Sequence, residues 1–297
     1  MNIALIFNDI NRYWTPGSYI KRLLASQNDL DIVAHPRVPE DVPIIEESNS
    51  LDIDLAFVVD CSVHYKLHHS KGKLAKKTKT AIWLSDLHRP DWAKWRLQMI
   101  QEWRYDHVFY AQKDFRKMIL ESGYEQSECS WLPHATDPEV FKPMPQITKK
   151  YDIGFVGYMN PKRERIINII KENHLNFKHY DSVWELNAAR AINECRIGLN
   201  IPVETDVCNM RTFETMSCGI PLLIEKNDNG LSDLFESDMY MTYLNEDNLI
   251  DKVLYLLSKP DLVESMSKKA REHVLKFHTY RNRINTILGT MGFSLLK

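Results

Sequence analysis

The chain has 297 residues, enough for two α/β domains of roughly 130–150 residues each. Apolar residues make up 44% and charged residues 26%, with a net charge of −2, which excludes a disordered, collagen-like or globally basic chain. No apolar run approaches the roughly 20 residues that span a bilayer, Met1–Phe7 has no basic leader, and the five cysteines lack CxxC spacing. The expectation is a cytoplasmic protein with reduced thiols and no membrane span.

Short β-branched apolar runs separated by amphipathic stretches predict parallel sheets covered by helices. In the first half, strands are expected at Asn2–Phe7, Asp31–Ala34, Asp54–Asp60, Thr80–Asp86, His107–Ala111 and Ser130–Pro133. Helices are expected near Gly17–Ser26, Pro90–Trp103 and Lys113–Ser122. Asp60 and Asp86 end apolar strands, and open α/β sheets hold ligands at the carboxyl ends of their strands.

From His134 to Lys150 the pattern lapses. Pro138, Pro143 and Pro145 punctuate a polar stretch that reads as an interdomain linker. The cycle then restarts, with strands at Asp152–Gly157, Asn176–Tyr180, Arg196–Ile201 and Pro221–Glu225. Helices are expected at Pro161–Glu172, Val183–Glu194, Met210–Ser217, Leu249–Ser258, Asp261–His273 and Arg281–Gly289. The predicted class is α/β: two Rossmann-like, doubly wound domains facing each other across a cleft. Residues 1–143 form the first and 150–275 the second, and a C-terminal helix in 276–297 packs back toward the first.

Two segments carry the chemistry. In Asp152–Arg165 a buried strand ends at Gly157, Tyr158 follows, and Pro161 opens a helix whose first turn holds Lys162 and Arg163. Cations oppose the helix dipole there, so a phosphate docking on free N–H groups and both cations would explain them. A solvated basic helix start is the alternative. In Asn209–Leu223, Arg211 and Glu214 are spaced i,i+3 on one helix face, Gly219 caps that helix, and Pro221 opens the next strand. Beside an arginine, an acid in this position can accept two hydrogen bonds from ribose hydroxyls. A structural Arg–Glu pair is the competing reading.

The stretch Asn209–Leu223 resembles the donor-site helix of GT-B glycosyltransferases. Arg211-x-Phe213-Glu214 with Ser217-Cys218-Gly219 is similar in particular to the CgeB-like spore-maturation glycosyltransferases. The acidic turn Asn245-Glu246-Asp247, the segment Met266–Glu272 and the stretch Trp131–Pro143 fit as well. The likeness extends over about residues 129–290 and reduces to fold order before that. It implies a GT-B fold and a nucleoside-diphosphate sugar, a UDP-sugar first, as co-substrate, with no cofactor and no metal. Glu214 would bind ribose, Arg211 the diphosphate or sugar, and Lys162 or Arg163 the phosphate. Gly157, Tyr158 and Asn209 complete the donor set. Two departures leave the stereochemical outcome open: Tyr158 stands where the family has Arg, and Asp206 where it has Glu.

The first half would supply the acceptor site. Asp86 and His88 follow a strand, and either one could take the acceptor proton; an N-cap aspartate and a surface histidine are the plainer reading. Gly17 precedes the first helix and could approach the donor phosphates, or serve only a turn. His64, His68 and His69 match no common zinc spacing. Lys73, Lys76 and Lys77 belong to a lysine run free of acids. That run is either a solvated edge or a landing site for a polyanionic acceptor such as DNA or a cell-surface polymer. Trp83, Trp92, Trp95 and Trp103 nearby stack on bases or sugars, or simply pack. The leading expectation is sugar transfer to an acceptor hydroxyl. Its rivals are glycosylation of a modified base in DNA, an inactive sugar-nucleotide or nucleic-acid-binding relative, and a nucleotide-sugar epimerase.

Overall fold

The computed structural model describes residues 1–7, 14–27, 31–36, 53–59, 78–87 and 90–296. Of the residues singled out above, His88, Lys73, Lys76, Lys77, Asp60, His64, His68 and His69 lie outside that set. The chain divides into two compact units, Met1–Pro133 together with Tyr280–Lys297, and His134–Thr279.

The first unit is built on β1 (Asn2–Phe7), β2 (Asp31–Pro36), β3 (Leu55–Val59), β4 (Lys79–Leu84), β5 (His107–Tyr110) and β6 (Cys129–Trp131). They pair in the order β2-β1-β3-β4-β5-β6, every pair parallel. Helices α1 (Pro16–Ala25), α2 (Pro90–Trp103) and α3 (Arg116–Glu121) belong to the same unit. Leu55–Val59 is buried at every residue, as expected of a strand covered on both faces. The core packs Ile82, Leu84, Ile100, Val108 and Phe115 together.

The second unit contains β7 (Tyr151–Val156), α4 (Pro161–Glu172), β8 (Phe177–Tyr180), α5 (Glu185–Asn193), β9 (Cys195–Asn200), α6 (Met210–Ser217), β10 (Leu222–Glu225), α7 (Leu231–Leu234), β11 (Met241–Tyr243), α8 (Glu246–Leu257) and α9 (Pro260–Phe277). Its sheet runs β11-β10-β9-β7-β8, again wholly parallel. The chain then returns to the first unit through α10 (Tyr280–Thr290). There Tyr280 stacks on Tyr19 at 5.0 Å, and Arg283 Nε donates to the Pro133 carbonyl at 2.6 Å.

The α/β class with two doubly wound parallel sheets is therefore the observed one, and each sheet begins with the same order, second-first-third-fourth-fifth. Strand order reverses between β1 and β3 in one sheet and between β7 and β9 in the other. Such switch points open a crevice at the carboxyl strand ends.

Some boundaries differ from expectation. The strand at Met241–Tyr243 and the helical turn at Leu231–Leu234 were not foreseen, because three or four residues are too few to show a period. The helix expected from Val183 starts at Glu185, after Ser182 turns the chain at φ 53°. The helix expected at Leu249 begins at Glu246, where the Asn245 side chain caps the Asn248 amide at 3.0 Å. The proline-rich stretch after His134 belongs to the second unit. Ser217 Oγ donates to the Phe141 carbonyl at 2.5 Å, and Asn193 Nδ2 to that of Lys142 at 3.1 Å. Trp83 and Trp103 are core residues, with Trp83 Nε1 donating to the Leu132 carbonyl at 2.8 Å, while Trp95 is exposed.

Candidate functional site

The β7/β9 crevice brings together most of the donor residues predicted from sequence. Strand β7 ends at Val156, and Gly157 follows at φ +159°, where a Cβ would lie 2.9 Å from the Phe155 ring. Glycine is thus required for the turn itself. The Gly157 amide donates to the Tyr180 carbonyl at 3.1 Å, and its own carbonyl accepts from His179 Nε2 at 2.7 Å. Tyr158 is exposed. Asn160 then caps α4, accepting from the Arg163 amide at 2.9 Å, with Pro161 in the first turn.

Arg163 is buried and turns inward. Its Nε and Nη2 donate to the Ile201 carbonyl at 3.0 and 2.8 Å, and its Nη1 to that of Tyr158 at 2.9 Å. The guanidinium also lies over the rings of Phe155 and Tyr158, 5.0 and 4.6 Å from their centroids. Burial pulls its pKa below the ordinary value, with Tyr158 and Asp206 acting in the opposite sense, yet the group stays charged. One side chain therefore ties the loop after β7 to the loop after β9, across the switch point. Lys162 points elsewhere: its Nζ contacts Glu225 Oε2 at 2.5 Å and the Pro202 carbonyl at 3.5 Å.

Helix α6 follows the β9 loop. Asn209 caps it, accepting from the Thr212 amide at 3.3 Å and donating to the Asp206 carbonyl at 2.8 Å. Asn200, the buried last residue of β9, donates to Asn209 Oδ1 at 3.0 Å and to Thr212 Oγ1 at 2.9 Å. From the first turn of α6, Arg211 Nε reaches back to the Val156 carbonyl at 3.0 Å. Its Nη1 lies 2.6 Å from Glu214 Oε2 in a charge contact, and neither atom makes a well-aligned hydrogen bond among the described residues. Glu214 is only 3% exposed. Burial pushes its carboxyl above the usual carboxylate range, and Arg211 opposes that shift. A buried carboxylate with unused acceptor capacity is ready for donors from outside the chain.

Asn200 and Glu225 were missed by sequence reasoning. Both are polar residues ending apolar strands, the same signal that singled out Asp60 and Asp86. In the first unit, Asp86 stands two residues past β4, half-buried, at φ 54°, a conformation Asp tolerates better than most residues. Gly17, expected ahead of the first helix, is instead the second residue of α1 and has a packing reason: a Cβ there would lie 2.4 Å from the Phe7 Cβ. Among the described residues, no three His, Cys, Asp or Glu side chains gather as metal ligands, and no helix is long and apolar enough to cross a membrane.

The pattern of the glycosyl transferase-like family matches residues 140–289, which spans β7 to α10 and every residue of the crevice. The chain belongs to that family. No curated protein matches the sequence. Among solved structures, Anabaena HepE in complex with UDP and glucose is similar at a TM-score of 0.70 and 11% identity, covering 98% of this chain and 99% of that one. Sucrose-phosphate synthase from Thermosynechococcus elongatus matches at 0.67 and 12%, covering 97% of each chain. An α-glucosyltransferase in complex with UDP-glucose and DNA containing an abasic site matches at 0.67 and 10%, covering 98% and 99%. The fold of this glycosyltransferase family member is accordingly of the GT-B type.

Proposed function

We propose that the protein transfers a sugar from a nucleoside diphosphate, with UDP as the first candidate, to an acceptor hydroxyl, the donor lying in the β7/β9 crevice. The observation that carries this reading is Glu214, a buried carboxylate beside Arg211 at the switch point, with an oxygen still able to accept. It would receive the two ribose hydroxyls, as charge-assisted bonds in a dry pocket are strong. Lys162 and Arg211 would stabilise charge building on the departing diphosphate, and Arg163 would add its field from behind the Tyr158 loop. The acceptor oxygen would bond to the anomeric carbon as the bond to the diphosphate breaks, and its proton would pass to Asp86 or His88 of the first unit. With cations offsetting the leaving charge, the reaction in this form needs no metal.

CgeB-like kinship, a hexose or a pentose as the group transferred, and a cytoplasmic location extend the same reading. A DNA acceptor is the second reading. It is favoured by the fold neighbour in complex with UDP-glucose and DNA containing an abasic site, and by the lysine run holding Lys73, Lys76 and Lys77.

Thermal shifts with UDP, GDP, dTDP, CDP and ADP test the donor site. A nucleotide at 100 times its Kd stabilises by about 2.7 kcal/mol, or a few degrees for a chain of this size. One nucleotide is expected to raise Tm, and Glu214→Ala to abolish the shift. A folded wild type that responds to none of them, or an unchanged shift in Glu214→Ala, would overturn the assignment.

A further inference from the structure

The three cations of the crevice are held in different ways. Arg163 and Arg211 are anchored on backbone carbonyls of Ile201, Tyr158 and Val156, partners that cannot leave without rebuilding the strand ends, and Arg211 also meets the buried Glu214 carboxylate. Lys162 instead rests on a partly exposed side chain, Glu225 Oε2, at 2.5 Å, and its contact with the Pro202 carbonyl is long at 3.5 Å. The Lys162 and Glu225 side chains keep 34% and 29% of their surface exposed, so water reaches both. A solvated pair of this kind is weak and exchangeable.

Position adds to chemistry. Glu225 is the last residue of β10, the strand that pairs with β9, so its carboxylate stands at the same sheet edge as the crevice. A carboxylate beside the diphosphate position would repel that ligand, unless its charge is first matched by a cation.

We propose that Glu225 is a built-in competitor for Lys162, occupying the ammonium until a diphosphate displaces it. This rests on the donor assignment above. Donor and product then bind less tightly than the cations alone would allow, because each must take Lys162 from a carboxylate. Glu225 would in this way favour release of the nucleoside diphosphate after transfer.

The test measures, by calorimetry, binding of the nucleoside diphosphate selected in the thermal-shift panel and of its phosphate-free nucleoside. Wild type, Glu225→Gln, Glu225→Ser and Lys162→Met are compared, all checked for folding by Tm. Both Glu225 variants are expected to bind the diphosphate about three- to fivefold more tightly, the size of an exposed ion pair, with nucleoside affinity unchanged. Lys162→Met is expected to bind the diphosphate less tightly than wild type. Equal or weaker diphosphate binding in both Glu225 variants would overturn the proposal and make Glu225 a positioning partner of Lys162. Wild type that binds no diphosphate, or binding untouched by Glu214→Ala, would overturn the donor reading beneath it and the proposal with it.

Discussion

At the β7/β9 crevice, Arg163 joins two loop carbonyls, Arg211 clasps a strand end, and Asn200 and Asn209 knit β9 to the start of α6. At the β1/β3 crevice the described residues meet differently. Gly17 seats α1 directly on Phe7, and Thr15 Oγ1 lies 3.1 Å from Ser18 Oγ. Among the described residues, equal strand order thus goes with different contacts at the two switch points. The second sheet fixes its loops with buried polar side chains, which costs desolvation and yields rigid geometry. At the first switch point the described residues show α1 packed closely on β1. A site that must hold a charged ligand in one orientation needs the former.

Removing the clamp is expected to have the largest effect. Arg163→Met fills the space but leaves the Ile201 and Tyr158 carbonyls without their donor. Each stranded group costs about 1–3 kcal/mol, so urea unfolding of the full chain should show a loss of about 3 kcal/mol or more. The thermal shift with nucleotide should shrink as well. A variant as stable as wild type would mean that the loops hold themselves, and the contrast between the sheets would fail.

The two glycines give the next test, each at about 1–3 kcal/mol. Gly17→Ala drives a Cβ into Phe7 and is expected to lower Tm, while the folded fraction binds nucleotide as before. Gly157→Ala strains a backbone that L-residues avoid and displaces the Tyr158 loop, so it is expected to lower both Tm and nucleotide affinity. Loss of affinity in Gly17→Ala would place that residue, the second of α1, in the donor site.

How far the sequence led follows from the same contrast. Pro161–Glu172 and Met210–Ser217 were legible to the residue because Asn160 and Asn209 cap them and Pro161 starts one. The pairing of Arg211 with Glu214 was legible from i,i+3 spacing. What Arg163 does was not. Its position in a first helical turn spoke for a phosphate ligand, but its partners are carbonyls 5 and 38 residues away, and no local pattern encodes a bond across a switch point. Glu225 was passed over for a similar reason: its ion-pair partner lies 63 residues earlier, on another element. Tertiary partners decide whether a charged side chain faces a ligand or the chain itself.

The smallest effect should come from acid, and it belongs to the second unit. Burial raises the Glu214 carboxyl above its unfolded value of about 4.5, with Arg211 opposing. Between those two values the folded state keeps a proton that the unfolded chain has released. The contribution of Glu214 to stability therefore falls as pH rises through that window, the reverse of the usual carboxylate. Glu214→Gln, which cannot ionise, lacks this term. Its stability relative to wild type is expected to increase from pH 4.5 upward, read from urea midpoints across the range. The same carboxylate accepts ribose hydroxyls best when ionised, so nucleotide affinity should rise over the window in which this contribution to stability declines. Opposite slopes for binding and stability, both absent in Glu214→Gln, would tie the two properties to one side chain. Parallel slopes, or slopes that survive the substitution, would assign the acid response to another group and leave Glu214 as a structural partner of Arg211.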